Sequence, residues 1–116
     1  MRAIVRDFVS TDIDLDTFSP EDPDNFSFLL LAFVGPFDSE GEEQLQLVVC
    51  TPKALAARVE SEKVVFGRPL VIVGSSDVPQ ILRAVRKEIE SIEASSWNLV
   101  ASRLARLGLY EFEDFF

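Results

Sequence analysis

The chain has 116 residues, 47% of them hydrophobic and 27% charged, with a formal net charge of −9. This length suits one domain and this share of apolar side chains excludes a disordered chain, so residues 1–116 are expected to fold as a single domain. The single cysteine excludes an internal disulfide, and the absence of histidine removes the commonest general base and the commonest transition-metal ligand.

The first half of the chain is predicted to form three strands with acidic connections. Residues 2–9 are typical of a strand, whereas 11–25 predict a long loop because Asp, Asn and Pro favour turns over strand pairing. Residues 26–34 are apolar on both sides, which favours a central strand covered on both faces. An acidic turn at 38–43 then leads to an alternating strand at 44–50, and we expect these last two strands to form an antiparallel hairpin.

The second half is predicted to be mainly helical. Thr51 followed by Pro52 indicates the N-cap and first residue of a short helix. A short strand is expected at 70–73. Asp77 then caps a helix in which apolar residues recur at spacings of three, four and seven between 78 and 92.

A last helix is expected to begin after Ser96, with Trp97 as a core anchor and Gly108 as a left-handed C-cap. The tail 110–116 alternates acidic and aromatic residues, as in a short final strand or a docked extended segment. The predicted class is α+β: a curved, mainly antiparallel sheet with the C-terminal helices packed on one face.

No membrane segment or secretory signal is predicted. The N-terminal residues 1–7 are interrupted by charges, and the longest apolar run, 28–34, is far below the roughly 20 residues that cross a bilayer. Cys50 lies among aliphatic residues and is expected to be a small buried thiol. These features predict a soluble protein in a reducing cytoplasm.

The acidic residues are concentrated in one part of the sequence. Between Asp7 and Pro52 there are eleven Asp or Glu and no Lys or Arg. Such segregation predicts an acidic surface, which serves either to meet a basic partner or to keep the chain soluble. The predicted partner-binding residues are Asp12, Asp14, Asp16, Glu21, Asp22, Asp24, Asp38, Glu40, Glu42 and Glu43.

No catalytic, cofactor or metal site is predicted. The alternation of acids at 12, 14 and 16 resembles the start of a calcium loop, but the glycine required at its sixth position is Thr17 and the acid required at its twelfth is Pro23. The glycine spacing matches no phosphate-binding loop. Direct nucleic-acid binding is disfavoured because the basic residues of the second half alternate with acids.

Several segments, taken together, resemble one known family. They are 20–26, 34–36, 48–53, 96–97 and 110–115. In this order they are similar to the immunity protein 8 family of bacterial polymorphic toxin and contact-dependent inhibition systems, and the likeness covers nearly the whole chain. Many members have a Trp soon after the Thr-Pro pair where this chain has Ala54, so a contact made by that Trp is not expected here.

The resemblance implies a cytoplasmic, non-catalytic protein that binds the toxin domain of a cognate effector and blocks it, without a cofactor. The partner would offer a basic protein surface, and a nuclease toxin is one such partner. Neither nucleic acid nor membrane is an expected partner, and a homodimer is left open. A chaperone or adaptor subunit of a secretion system is the main alternative, and a small-ligand or metal-binding domain is another.

Overall fold

The computed structural model describes residues 1–112. Within that range it contains five strands and three helices, and the predicted α+β class is confirmed. Their bounds, in chain order, are β1 Ala3–Val9, β2 Ser27–Pro36, β3 Glu43–Cys50, α1 Pro52–Glu62, β4 Leu70–Ile72, α2 Val78–Glu90, α3 Trp97–Leu104 and β5 Leu109–Tyr110.

β2 is the central strand of the sheet. It pairs antiparallel with β1 on one side and with β3 on the other, and the predicted β2–β3 hairpin is confirmed. β4 runs parallel to the end of β3, while β5 runs antiparallel to its beginning, so two short strands share the outer edge of β3. The sheet is therefore mainly antiparallel, as predicted.

One face of the sheet carries the hydrophobic core. Phe28, Leu30, Ala32 and Val34 alternate along β2, and all four are buried in one cluster with the apolar sides of α2 and α3. The period of two in the strand and the spacings of three and four between the buried residues of α2 place these side chains face to face. The C-terminal helices thus pack on one face of the sheet, as predicted.

The three predicted helix starts are confirmed. The side chains of Thr51, Asp77 and Ser96 each accept a hydrogen bond from a backbone N–H in the first turn of the following helix. Each of these bonds satisfies a donor that the first turn of a helix would otherwise leave unpaired.

Thr51 has a further role because it is buried, with 1% of its surface exposed. Its hydroxyl accepts hydrogen bonds from the backbone N–H of Phe26 at 3.2 Å and of Ala54 at 3.3 Å, and it donates to the Phe26 carbonyl at 3.4 Å. The side chain therefore joins the start of α1 to the residue that precedes β2.

Replacement of Thr51 by Val is expected to lower the free energy of unfolding by about 2–3 kcal/mol. Val keeps the shape but removes the cap and leaves the buried Phe26 N–H without a partner. Urea denaturation measures the change. The exposed cap variant Asp77→Ala, expected to cost about 1 kcal/mol, is the control, and an equal loss in both variants would show that the buried bond to Phe26 contributes nothing.

The prediction that Gly108 is a left-handed C-cap is wrong. α3 ends at Leu104, and its C-cap Ala105 has a right-handed helical conformation, with φ −64°. Among residues 1–112 the only glycine with a positive φ is Gly41, at 111°. Gly108 instead lies against β3, where a Cβ would be 2.5 Å from the Gln46 carbonyl oxygen.

The predicted final strand is present as β5. Tyr110 is buried in the core, Phe112 is exposed, and Trp97 packs against the core cluster as expected. The remaining tail residues, 113–116, lie outside the described part of the chain.

Candidate protein-binding surface

Two arginines hold the acidic turn between β2 and β3. Arg2 places its guanidinium over the Phe37 ring, 4.2 Å from the ring centroid. Arg6 lies at a β-bulge in β1, and its guanidinium donates to the carbonyl oxygens of Pro36 at 2.7 Å, Ser39 at 2.6 Å and Gly41 at 2.8 Å. Because Arg6 binds backbone carbonyls, it fixes the turn without pairing with its carboxylates. The exposed acids of this turn are Asp38, Glu40 and Glu42.

The first part of the acidic loop follows the edge of β2. β1 ends at Val9, which pairs with Leu31, and the Asp12 carboxylate then accepts the N–H of Leu29 at 2.8 Å. The side chain of Asp12 thus takes the place of a strand partner. Asp14 accepts the backbone N–H of Asp16 at 2.9 Å, which stabilises the turn that presents both residues to solvent.

Aromatic packing anchors the loop to the core. The ring of Phe18 lies 5.3 Å from those of both Phe26 and Phe28, in edge-to-face geometry. The loop therefore has a defined position, although ten of its residues between 10 and 25 are exposed at its surface. Its acidic side chains are presented by a packed segment.

Two of the predicted acids are bound by other side chains. The pKa of Asp22 lies below its usual range, first because the Asp24 N–H donates to its carboxylate and then because Lys53 pairs with it at 3.3 Å. The Glu43 carboxylate accepts the indole N–H of Trp97 at 3.1 Å. Lys53 offsets part of the charge of Asp22, and Glu43 holds α3 to the sheet.

Six of the ten predicted acids lie on the β1 side of the sheet or in the turn after β2. Asp7, which was not predicted, lies between these two groups in β1. Asp7 lines an open cleft of about 500 Å³ together with Asp14 and Asp16, and Arg6 and Arg86 also line it. Asp7 follows Arg6, which holds the turn after β2. We call these acids the acidic margin, and its members are Asp7, Asp12, Asp14, Asp16, Asp38, Glu40 and Glu42. By contrast, Glu21, Asp22 and Asp24 lie near the start of α1.

Asp7 was missed because an acid in an alternating strand is an ordinary solvent-facing residue. The one signal in the sequence was its place at the start of the stretch without Lys or Arg. Its carboxylate accepts the N–H of Phe8 at 2.9 Å, which caps the strand edge at that point.

The sheet face opposite the core is only partly covered. Leu29, Leu31 and Phe33 alternate with the core residues of β2 and are half-buried, and Val9 beside Leu31 is 38% exposed. At one end of this face, α1 borders Cys50 and its neighbours. At the other end, the turn after β2 lies close to the sheet: a Cβ added to Gly35 would be 2.1 Å from the Gly41 carbonyl oxygen.

The expectation that β2 is covered on both faces therefore holds for only one face. We call the middle of the other face the open face, defined by Val9, Leu29, Leu31, Phe33, Gln44 and Gln46. An apolar centre with polar and charged neighbours has the composition of a protein–protein contact surface.

Residues 1–112 give little support for a metal site, a membrane span or a reactive thiol. In that range no three acidic or thiol side chains come together in an arrangement that could hold a metal ion, and no helix has both the length and the apolar character to cross a membrane. Cys50 is buried as predicted, and its burial raises the pKa of the thiol, which therefore stays protonated at neutral pH.

Comparison with known proteins identifies one family. The sequence model described as Immunity protein 8 matches residues 3–115. No significant match was found among curated proteins or among solved structures.

Proposed function

Because the chain belongs to the immunity protein 8 family, which makes it an immunity protein to a toxin, we propose that it neutralises a cognate toxin domain by direct protein–protein contact through its acidic surface. It acts in the cytoplasm as a stoichiometric inhibitor, with no catalytic step and no cofactor. The observation that carries this proposal is the acidic margin, in which several carboxylates are exposed and held by backbone N–H groups, and in which no basic side chain of residues 1–112 forms a salt bridge with them.

The sign of this charge favours a partner with a basic surface. A nuclease needs positive charge to hold the phosphate backbone of its substrate, and a negative protein surface is complementary to such a region. We therefore propose a nuclease as the toxin class. Contact at the substrate cleft or its rim would exclude nucleic acid from the toxin.

Rigidity of the acidic surface supports tight binding. Arg6 holds the turn after β2 by three hydrogen bonds, and Phe18 packs the preceding loop onto the core. Side chains that are presented by an ordered backbone lose less conformational entropy when they meet a partner. The acidic surface therefore already has an ordered backbone in the free protein.

Growth of bacteria that express the candidate toxin domain encoded beside this chain tests the proposal. Growth is expected to stop with the toxin domain alone and to recover when this chain is expressed in the same cell, and the two purified proteins are expected to form a complex. An unrelated small acidic protein at the same level is the control. Death of the cells despite a stable complex would favour the chaperone or adaptor role and contradict neutralisation.

A further inference from the structure

We propose that the open face is the docking surface for the toxin domain, and that the matching toxin surface has an apolar centre and basic residues along one side. This inference rests on the proposed function and adds the location of the contact. It also assigns separate roles to two features of the molecule. The apolar stripe of β2 supplies the buried centre of the interface, and the acidic margin supplies its charged border.

The stripe is unusual for the outer face of a two-layer fold. Such a face normally alternates polar residues against the core residues of each strand, yet the outward positions of β2 are Leu29, Leu31 and Phe33. These side chains do not complete the core, because the core residues of β2 face the helices. Their apolar surface is stabilised when a partner covers it.

The acidic margin lies beside this stripe. Asp12 is bound to the N–H of Leu29 at 2.8 Å, and Asp7 pairs with Phe33 in the register of β1 and β2. The acids of the turn after β2 lie at the far end of the same strand. Charge therefore borders the stripe along its β1 side, whereas the β3 side offers the neutral side chains of Gln44 and Gln46.

The apolar stripe is the centre of a contact surface and not the whole of it. From Leu29 to Phe33 it covers five residues of β2, about 13 Å at about 3.3 Å per residue. A standard interface buries about 800 Å² on each partner, equivalent to a disc about 32 Å across. The proposed interface therefore includes the acidic margin as well as the stripe.

Charge also favours a toxin over a second copy of this chain as the occupant of the open face. A second copy of the chain would bring together two surfaces that are both strongly negative, from molecules of net charge −9, and like charges disfavour such contact. The most exposed large apolar side chain in residues 1–112 is Phe66, which is 84% exposed in the connection between α1 and β4, but Lys63 and Arg68 near it in the sequence are basic. That site does not complement a basic partner.

A bulky residue on the open face tests the inference. Gln46 lies opposite Leu31 and is half-buried, so Gln46→Trp places an indole in front of the stripe without removing a core side chain. Binding to the toxin domain, measured by calorimetry or surface plasmon resonance, is expected to weaken about 100-fold, since close packing at the centre of an interface dominates its affinity. The matched control Asn98→Trp, on the exposed side of α3, should bind like the unchanged chain.

A second variant covers the case in which Gln46→Trp does not fold. Leu31→Thr keeps a strand-forming residue and removes apolar surface from the stripe, and it is expected to weaken binding about 10-fold. If the unchanged chain protects cells and both folded variants bind as tightly as it does, the open face is not the docking surface and the proposed function stands. If the unchanged chain neither binds nor protects, both proposals fail.

Light scattering tests the remaining alternative, in which a second copy of the chain occupies the open face. The unchanged chain is expected to be monomeric in solution at micromolar concentration. A dimer that Gln46→Trp converts to a monomer would show that a second copy occupies the open face, and it would overturn this inference.

Discussion

Reversal of four charges in the acidic margin is expected to slow association with the toxin domain by about 10- to 1,000-fold. The variant replaces by Lys the margin acids whose carboxylates are exposed and accept no hydrogen bond in residues 1–112, namely Asp16, Asp38, Glu40 and Glu42. Each replacement adds two charges, so the net charge changes from −9 by 4 × 2 to −1. Stopped-flow mixing at several salt concentrations measures the rate.

The salt dependence of the association rate tests whether electrostatic attraction guides the encounter. Association of the unchanged chain should slow steeply between low and physiological ionic strength, because salt screens charges separated by more than about 8–10 Å. The reversed variant should show a flat or inverted dependence. Equal rates and equal salt slopes for the two proteins would contradict the electrostatic part of the proposed function.

A control with the same net charge separates local from overall electrostatics. Reversal of four exposed acids away from the margin also gives −1, and these acids are Glu60, Glu62, Glu88 and Glu93. This control should slow association much less, since the position of charge relative to the interface determines steering. If both variants slow equally, net charge and not the acidic margin guides the encounter.

The two parts of the proposed interface should differ in their kinetic effects. Charge at the border acts over a distance and changes mainly the association rate, whereas packing at the centre changes mainly the dissociation rate. Variants of Leu31 or Gln46 are therefore expected to shorten the lifetime of the complex, and variants at Asp38 or Glu40 to slow its formation. A surface with a single role would not show this division.

The sequence allowed the local elements to be predicted because their signals are local. Thr51, Asp77 and Ser96 each precede an apolar helical pattern, and an N-cap needs only the residues that follow it. The central place of β2 was likewise visible in its apolar run. Each of these features depends on neighbours within a few positions along the chain.

Features that depend on distant pairing could not be predicted. The order of the strands, and the sharing of the edge of β3 by β4 and β5, join segments that lie far apart in the sequence. The grouping of the acids depends on Arg6, whose bonds to the turn after β2 cross more than 30 residues. For the same reason Asp7 was not predicted, and Glu43 and Asp22 were included among the partner-binding acids although Trp97 and Lys53 bind them.

Gly108 provides the clearest test of a long-range constraint. Replacement by Ala is expected to lower the free energy of unfolding by about 2–4 kcal/mol, since overpacking of a close contact costs about 1–3 kcal/mol and occasionally more. A Cβ at this position would lie 2.5 Å from the Gln46 carbonyl and 2.7 Å from a Leu47 methyl group. To admit it, β5 must move away from β3.

The comparison of Ala with Asn at this position separates close contact from backbone conformation. A left-handed residue favours Asn over Ala, so Gly108→Asn would be the milder change if the glycine served as a left-handed cap. Steric exclusion by β3 predicts that Asn is at least as destabilising as Ala. Gly74→Ala, where a Cβ meets nothing within 4 Å, should be nearly neutral in the same urea denaturation, because only a residue pressed against another strand depends on the missing side chain.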